Sequence, residues 1–262
     1  MPGVERRESR THSSPSLRST RLLVSVRNAV EARAAIAGGA DVIDVKEPTA
    51  GSLGRATFPA MREVAEVVQQ ARSIPCSVAL GEISEVAAEL GTLQVPPSVR
   101  WVKLGLSGCA SRSDWQQQWL RIREYIAGNH EWIAVAYVDA TTATSPSVRR
   151  VLAAAIETHC AGLLLDTFSK TSGTLLDSLS VDELHSITRE AQAAGLLVAL
   201  AGRVRREDLP ALTPIQPDLI AVRSAVCRNA NRTAAIDGEL VANFRQAMLQ
   251  SSVGDEAAVQ IL

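Results

Sequence analysis

Arginine supplies nearly all the positive charge of this chain: of 27 basic residues, 24 are Arg, and only Lys46, Lys103 and Lys170 are Lys. Where a solvated cation suffices, the sequence uses arginine. Each lysine is therefore a candidate for the task a guanidinium cannot perform, which is to lose a proton and act as an amine nucleophile or base. All three sit in or beside apolar runs, VIDVK (42–46), WVKLGL (101–106) and LLLDTFSK (163–170). Three aspartates, Asp44, Asp139 and Asp166, occupy the same kind of setting. Charges in such places are seldom buried unless paired, so the set is either a structural ion network or an active site. Three lysines with three aspartates favour catalysis. A desolvated ammonium, or one beside another cation, has its pKa pulled towards neutrality and can attack a carbonyl to form a Schiff base. The protonated imine is an electron sink, and carboxylates with a second lysine can move protons during imine formation, deprotonation and dehydration.

The elements that must position these groups alternate. Apolar runs at 22–26, 42–46, 76–82, 101–106, 132–139, 162–167, 196–202 and 219–225 read as strands. Helical patterns lie between them at about 28–38, 58–72, 84–91, 113–127, 146–159, 180–194 and 205–212, with a last one at 236–250. Near-continuous apolar strands separated by helices indicate a parallel sheet covered by helices. Eight such units in this length match a single-domain (β/α)8 TIM barrel of the α/β class. Gly38-Gly39 and Gly195 stand at helix ends, and Pro59 and Pro146 where helices begin, as cap preferences require. An open doubly wound sheet competes, but the turn after its first strand is usually glycine-rich, and here it reads SVRN (25–28). The expected organisation is a disordered tail over 1–20, the barrel over 21–250 and a C-terminal extension over 251–262. In such a barrel chemistry sits at the C-terminal ends of strands. Lys46, Lys103 and Lys170 all fall at or near such ends on even-numbered strands, and Asp44 shares the parity of Lys46, so the two face the same side.

Composition excludes other classes. A net charge of -1 and a pI near 6.4 lack the electrostatic footprint of a nucleic-acid binder. The longest apolar stretches are far shorter than the roughly 20 residues of a membrane span. Four dispersed cysteines without a CxxC pair read as reduced thiols of a cytoplasmic protein. His12, His130, His159 and His185 show no metal-ligand spacing, so no metal and no cofactor is expected. The loops after the seventh and eighth strands often hold phosphate in barrels. Here they carry Gly202, Arg203, Arg223 and Ser224, which are the phosphate candidates. The GSLG segment (51–54) after the second strand reads as an anion-binding loop, a lid or a plain turn.

The segments VIDVKEPTAGSLG, WVKLGL, AYVDA, LLLDTFSK with GTLLD, LVALAGR and DLIAVRSAVC are similar, in order and spacing, to the (5-formylfuran-3-yl)methyl phosphate synthases of methanofuran biosynthesis. The resemblance runs from about Leu22 to Met248. It implies a barrel lyase that condenses two molecules of glyceraldehyde 3-phosphate into a furan aldehyde phosphate, releasing phosphate and water. By motif, the Schiff-base lysine falls on Lys46, and Lys103, Asp166, Lys170 and Asp44 are its catalytic companions. Arg203 stands where a serine is common. A class I aldolase making a linear sugar phosphate, and a catalytically silent barrel that binds a phosphorylated metabolite, are the competing expectations. Assembly into a homo-oligomer is compatible with each of these.

Overall fold

The computed structural model describes residues 19–259 except 72, 73, 127 and 172, so nearly all of the expected N-terminal tail lies outside the described residues. In chain order the elements are β1 (Arg21–Val26), α1 (Ala29–Ala37), β2 (Val42–Val45), α2 (Phe58–Gln70), β3 (Cys76–Glu82), α3 (Ile83–Ala88), β4 (Trp101–Gly105) and α4 (Trp115–Tyr125). They continue with β5 (Glu131–Tyr137), α5 (Ala140–Ala143), α6 (Val148–Glu157), β6 (Gly162–Asp166), α7 (Leu175–Ser178), α8 (Val181–Ala193), β7 (Leu197–Leu200), α9 (Leu209–Leu212), β8 (Leu219–Val222) and α10 (Gly238–Val259). The strands are all parallel, each pairs with the next, and β1 pairs with β8. That last pairing closes the sheet and excludes the open doubly wound alternative, which needs two edges.

Helix starts follow from side-chain chemistry. Asn28 accepts from the Glu31 N–H, Thr57 from the Ala60 N–H and Ser147 from the Arg150 N–H, while Ser180 and Glu183 cap α8 reciprocally. Each bond satisfies a donor that a helix start otherwise leaves unpaired. On α2, Met61, Val64, Ala65, Val67 and Val68 are buried, the spacing of one helical face.

Strand alternation divides the interior in two. Residues such as Leu22, Val24, Val78, Leu80, Leu163 and Leu165 face outward into the large core shared with the helices. Their neighbours Leu23, Val42, Trp101, Ile133, Leu164 and Leu219 fill the barrel itself. Trp101 is buried in that inner layer, and its indole N–H donates to Glu131 at 2.7 Å. The inward positions one step nearer the C-terminal ends are the polar ones: Ser25, Asp44, Ser77, Lys103 and Asp166.

Three details differ from the sequence pattern. The turns α5 and α7, four residues each, lie within the loops after β5 and β6 and are too short to show a helical period. The segment expected as a helix at 205–212 is a 3-10 turn (Arg206–Asp208) followed by only one turn of α9, because Pro210 and Pro214 permit little more. The last helix runs past residue 250 to Val259. No helix among the described residues is long and apolar enough to cross a membrane.

Candidate active site

Register assembles the inner polar layer. Ser25 pairs with Asp44 across β1 and β2, and Asp44 with Ser77 across β2 and β3. Lys103, on β4, donates from Nζ to an Asp44 carboxylate oxygen and to Ser77 Oγ at 2.9 Å. Ser25 Oγ donates to the other Asp44 oxygen at 3.1 Å. Lys and Asp side chains are each 3% exposed. The charge of Lys103 is thus matched inside the barrel wall.

A second pair sits at the rim. Asp166 ends β6, and Lys170, four residues on, folds back to donate to Asp166 Oδ1 at 2.7 Å, to the Thr167 carbonyl and to Thr167 Oγ1. Burial alone would raise the Asp166 pKa, but the Lys170 and Lys46 charges, with bonds from Lys170 and the Thr167 N–H, hold it below the usual carboxylate range. Burial lowers the Lys170 ammonium, against the pull of Asp166. Asp139 is committed elsewhere. Its oxygens accept the Phe168 and Ser169 N–H groups at 2.7 and 2.9 Å, fixing the turn that carries Lys170.

Lys46 differs from both. Its backbone N–H extends the strand ladder to the Val26 carbonyl at 3.0 Å. Its ammonium lines the cavity and has neither a hydrogen bond nor an ion pair among the described residues. Burial pulls its pKa down to about 8; Asp166 and Asp44 resist the fall, and Lys170 and Lys103 add to it. The four cysteines are all buried, and burial raises each thiol above its ordinary value, to about 12 for Cys76. Lys46 is therefore the group in this cavity best able to act as a nucleophile near neutral pH.

The cavity holds about 220 Å³ and opens at the C-terminal ends of the strands. Its space comes from small residues on one side, Ala199, Ala201 and Ala221, where β5 carries Val135 and Tyr137 at comparable inward positions. The loop after β2, which carries GSLG, lies against the cavity. Leu53 packs into the barrel interior and accepts the Gly81 N–H at 2.9 Å, and Ser52 Oγ donates to the Thr167 carbonyl at 2.9 Å. Gly54 allows the loop to close, since a Cβ there would come within 2.2 Å of the Glu47 carbonyl.

The four phosphate candidates all line this cavity but differ in what they can offer. Gly202 and Arg203 have positive φ of 95° and 60°, a conformation that costs a non-glycine residue about 1 kcal/mol or more. The Arg203 side chain turns to the Gly173 carbonyl at 3.1 Å. The backbone N–H groups of Gly202, Arg203, Ser224 and Ala225 find no acceptor among the described residues, so these main-chain groups, the Ser224 hydroxyl and the remaining donors of the Arg203 guanidinium are available to an anion. Arg223 must be corrected. All five of its donors are taken: Nε by the Arg232 carbonyl, Nη1 by the Ser25 carbonyl and Glu31, Nη2 by Glu31 and the Ala234 carbonyl. With no donor left for phosphate, it braces the loop after β8.

The sequence reading singled out GSLG without naming Ser52, and it missed Glu31 and Arg232. Glu31 reads as an ordinary first-turn acid of α1, and only the fold buries it between Arg27 and Arg223. Arg232 lies in a polar loop, yet it reaches over the cavity and donates from Nη2 to the Gly51 carbonyl at 3.0 Å.

Solved structures confirm the architecture. Thiamine phosphate pyrophosphorylase from Pyrococcus furiosus matches with a TM-score of 0.55 and 14% identity, covering 90% of this chain and 98% of that one. Phosphoribosyl anthranilate isomerase from Thermus thermophilus matches at 0.54 and 15%, covering 88% and 99%. At such identities the likeness is one of fold. Sequence relatives are nearer. The (5-formylfuran-3-yl)methyl phosphate synthase of Methanopyrus kandleri is 35% identical over 239 residues, 87% of this chain and 98% of that protein. The one from Methanocaldococcus jannaschii is 33% identical over 233 residues, 86% and 98%. The family model described as 4-HFC-P synthase matches residues 22–245. A barrel with an unpaired lysine at its mouth, matched nearly end to end by these lyases, belongs to the 4-HFC-P synthase family.

Proposed function

We propose that this chain condenses two molecules of glyceraldehyde 3-phosphate into (5-formylfuran-3-yl)methyl phosphate through a Schiff base on Lys46, releasing one phosphate and two waters. One observation carries the reading: of three lysines in one cavity, two are tied to aspartates and the third is unpaired, with its pKa drawn down to about 8. A fraction of that amine is neutral at physiological pH and can add to an aldehyde.

The neutral nitrogen bonds to C1 of a triose phosphate, and the carbonyl oxygen leaves as water. The iminium acidifies C2, whose proton passes to the Asp166–Lys170 pair, the proton-handling groups at the rim. The electron pair of the broken C–H bond forms an enamine, which expels the C3 phosphate and regenerates an iminium, now conjugated to a C2=C3 double bond. The second triose phosphate, deprotonated at C2, adds through that carbon to C3 of this electrophile, and its C1 aldehyde takes up the C2 oxygen of the first triose to close the ring. Loss of two waters makes the ring aromatic, and hydrolysis of the imine, which consumes the water that imine formation released, returns Lys46 to its free form. Asp44 and Lys103 stay paired and set the local field. The main-chain N–H groups of Gly202, Arg203, Ser224 and Ala225 and the Ser224 hydroxyl are the cradle for one phosphate.

Borohydride reduction in the presence of glyceraldehyde 3-phosphate, followed by peptide mapping, tests the reading. The expected adduct is on Lys46; an adduct on Lys103 or Lys170, or none, overturns it. The product mass separates the furan synthase from a class I aldolase, whose condensation product keeps both phosphates and every oxygen.

A further inference from the structure

The reaction just proposed brings two phosphate dianions into one cavity, and the cradle after β7 and β8 accounts for one. The second needs a cation, and the cations along the wall are nearly all committed. Lys103 and Lys170 are held by aspartates, and Arg223 has no donor left. Arg205 is paired with Glu207 and Asp208. Lys46 is the nucleophile.

Arg203 also forms no ion pair among the described residues, but it is exposed, turns to the Gly173 carbonyl at 3.1 Å and belongs to the loop of the first cradle. That leaves Arg232, which is half-buried. It lines the cavity and forms no ion pair among the described residues; the one hydrogen bond of its guanidinium there is from Nη2 to the Gly51 carbonyl at 3.0 Å. A guanidinium has five donors, so four remain. Its backbone is pinned from below, because Arg223 Nε donates to the Arg232 carbonyl at 2.6 Å and Arg223 Nη2 to the Ala234 carbonyl at 3.1 Å. Arg223 is itself anchored on Glu31 and the Ser25 carbonyl, at 2.9 and 2.8 Å. Burial and the nearby Arg223 make the Arg232 charge less favourable than in water, while Asp166 favours it. A partly buried, pre-positioned guanidinium with free donors and no carboxylate partner is what a bidentate phosphate ligand requires.

We infer that Arg232, stretched from the segment after β8 to the loop after β2, is the binding residue for the phosphate of the second triose phosphate, forming a subsite distinct from the backbone cradle of Gly202 and Ser224. This subsite rests on the two-triose reading for its biological ligand but not for its ability to hold an anion. The Arg223–Glu31 pair is its positioning support.

Calorimetric titration with inorganic phosphate separates the two questions, because it needs no imine chemistry. The wild-type chain should take up two phosphates, and Arg232→Gln should lose one of them by about tenfold or more in affinity while the other changes by less than about twofold. Two unaltered sites in Arg232→Gln, or a single site in the wild type, overturn the assignment. Where the variant fails to fold, phenylglyoxal modification of the wild type gives the answer: phosphate should protect Arg232 in peptide maps, and unprotected modification overturns the subsite. If phosphate protects Arg232 yet no borohydride adduct forms at Lys46, the Schiff-base reading fails while the anion site stands.

Discussion

The two Lys–Asp pairs of this barrel use the same chemistry at different depths. Lys103 and Asp44 come from strands of the closed sheet and are both 3% exposed, with serines on the remaining faces. Lys170 and Asp166 lie at the end of β6 and in its loop, where the lysine is 13% exposed and also grips its own turn at Thr167. The inner pair is fixed by register on rigid strands, whereas the rim pair can be rearranged by a turn. Lys46 lies within the field of both and is bonded to neither. In the reaction proposed above, the wall would supply compensated charge, the rim the proton-handling groups and the unpaired amine the nucleophile.

The comparison breaks first at Lys46. Replacing it by arginine keeps a cation but removes the amine, and turnover should fall by roughly four orders of magnitude or more. Circular dichroism should be unchanged, and activity in Lys46→Arg would move the nucleophile to one of the paired lysines. The inner pair should be the costlier to split for stability. Asp44→Asn strands a buried ammonium and should destabilise the fold by about 3–5 kcal/mol in urea unfolding. Replacing both partners, Asp44→Leu with Lys103→Met, should recover most of that loss, because the desolvation cost goes with the charges.

At the rim the balance reverses. Lys170→Gln should lower kcat by about 10²–10⁴-fold as proton transfer fails, with a smaller change in urea midpoint than Asp44→Asn, since Asp166 keeps the Thr167 N–H at 2.8 Å and the Ser52 hydroxyl. A stability loss as large as that of Asp44→Asn would erase the distinction between wall and rim. The smallest effect is a gain. The Lys46 pKa is lowered on folding, so the unfolded chain binds more protons between about pH 8 and the ordinary lysine value, and wild-type stability rises with pH across that window. Lys46→Met should therefore be more stable than wild type below pH 8, and its advantage should shrink as pH climbs towards 10.5. A pH-independent difference in thermal melts would contradict a depressed ammonium.

Much of this was written in local order. Strand parity put Asp44 and Lys46 on one side, and the scarcity of lysine selected the three amines that the barrel brings to one cavity. Arg223 was the misleading residue. Its place after β8 marks a phosphate loop, but whether its donors are free depends on Glu31, which is 192 positions away. Arg232 gave no signal at all, since a polar loop arginine looks the same whether it faces solvent or a cavity.

The sequence by itself determined the eight-fold alternation, the shared face of Asp44 and Lys46 and the three lysines that are candidates for amine chemistry, because period and side-chain chemistry are local properties. Only the assembled barrel decided which lysine stays unpaired, which arginine is used up and which remains available. Those outcomes depend on contacts between distant segments, and on the low-dielectric cavity that exists once the barrel is shut.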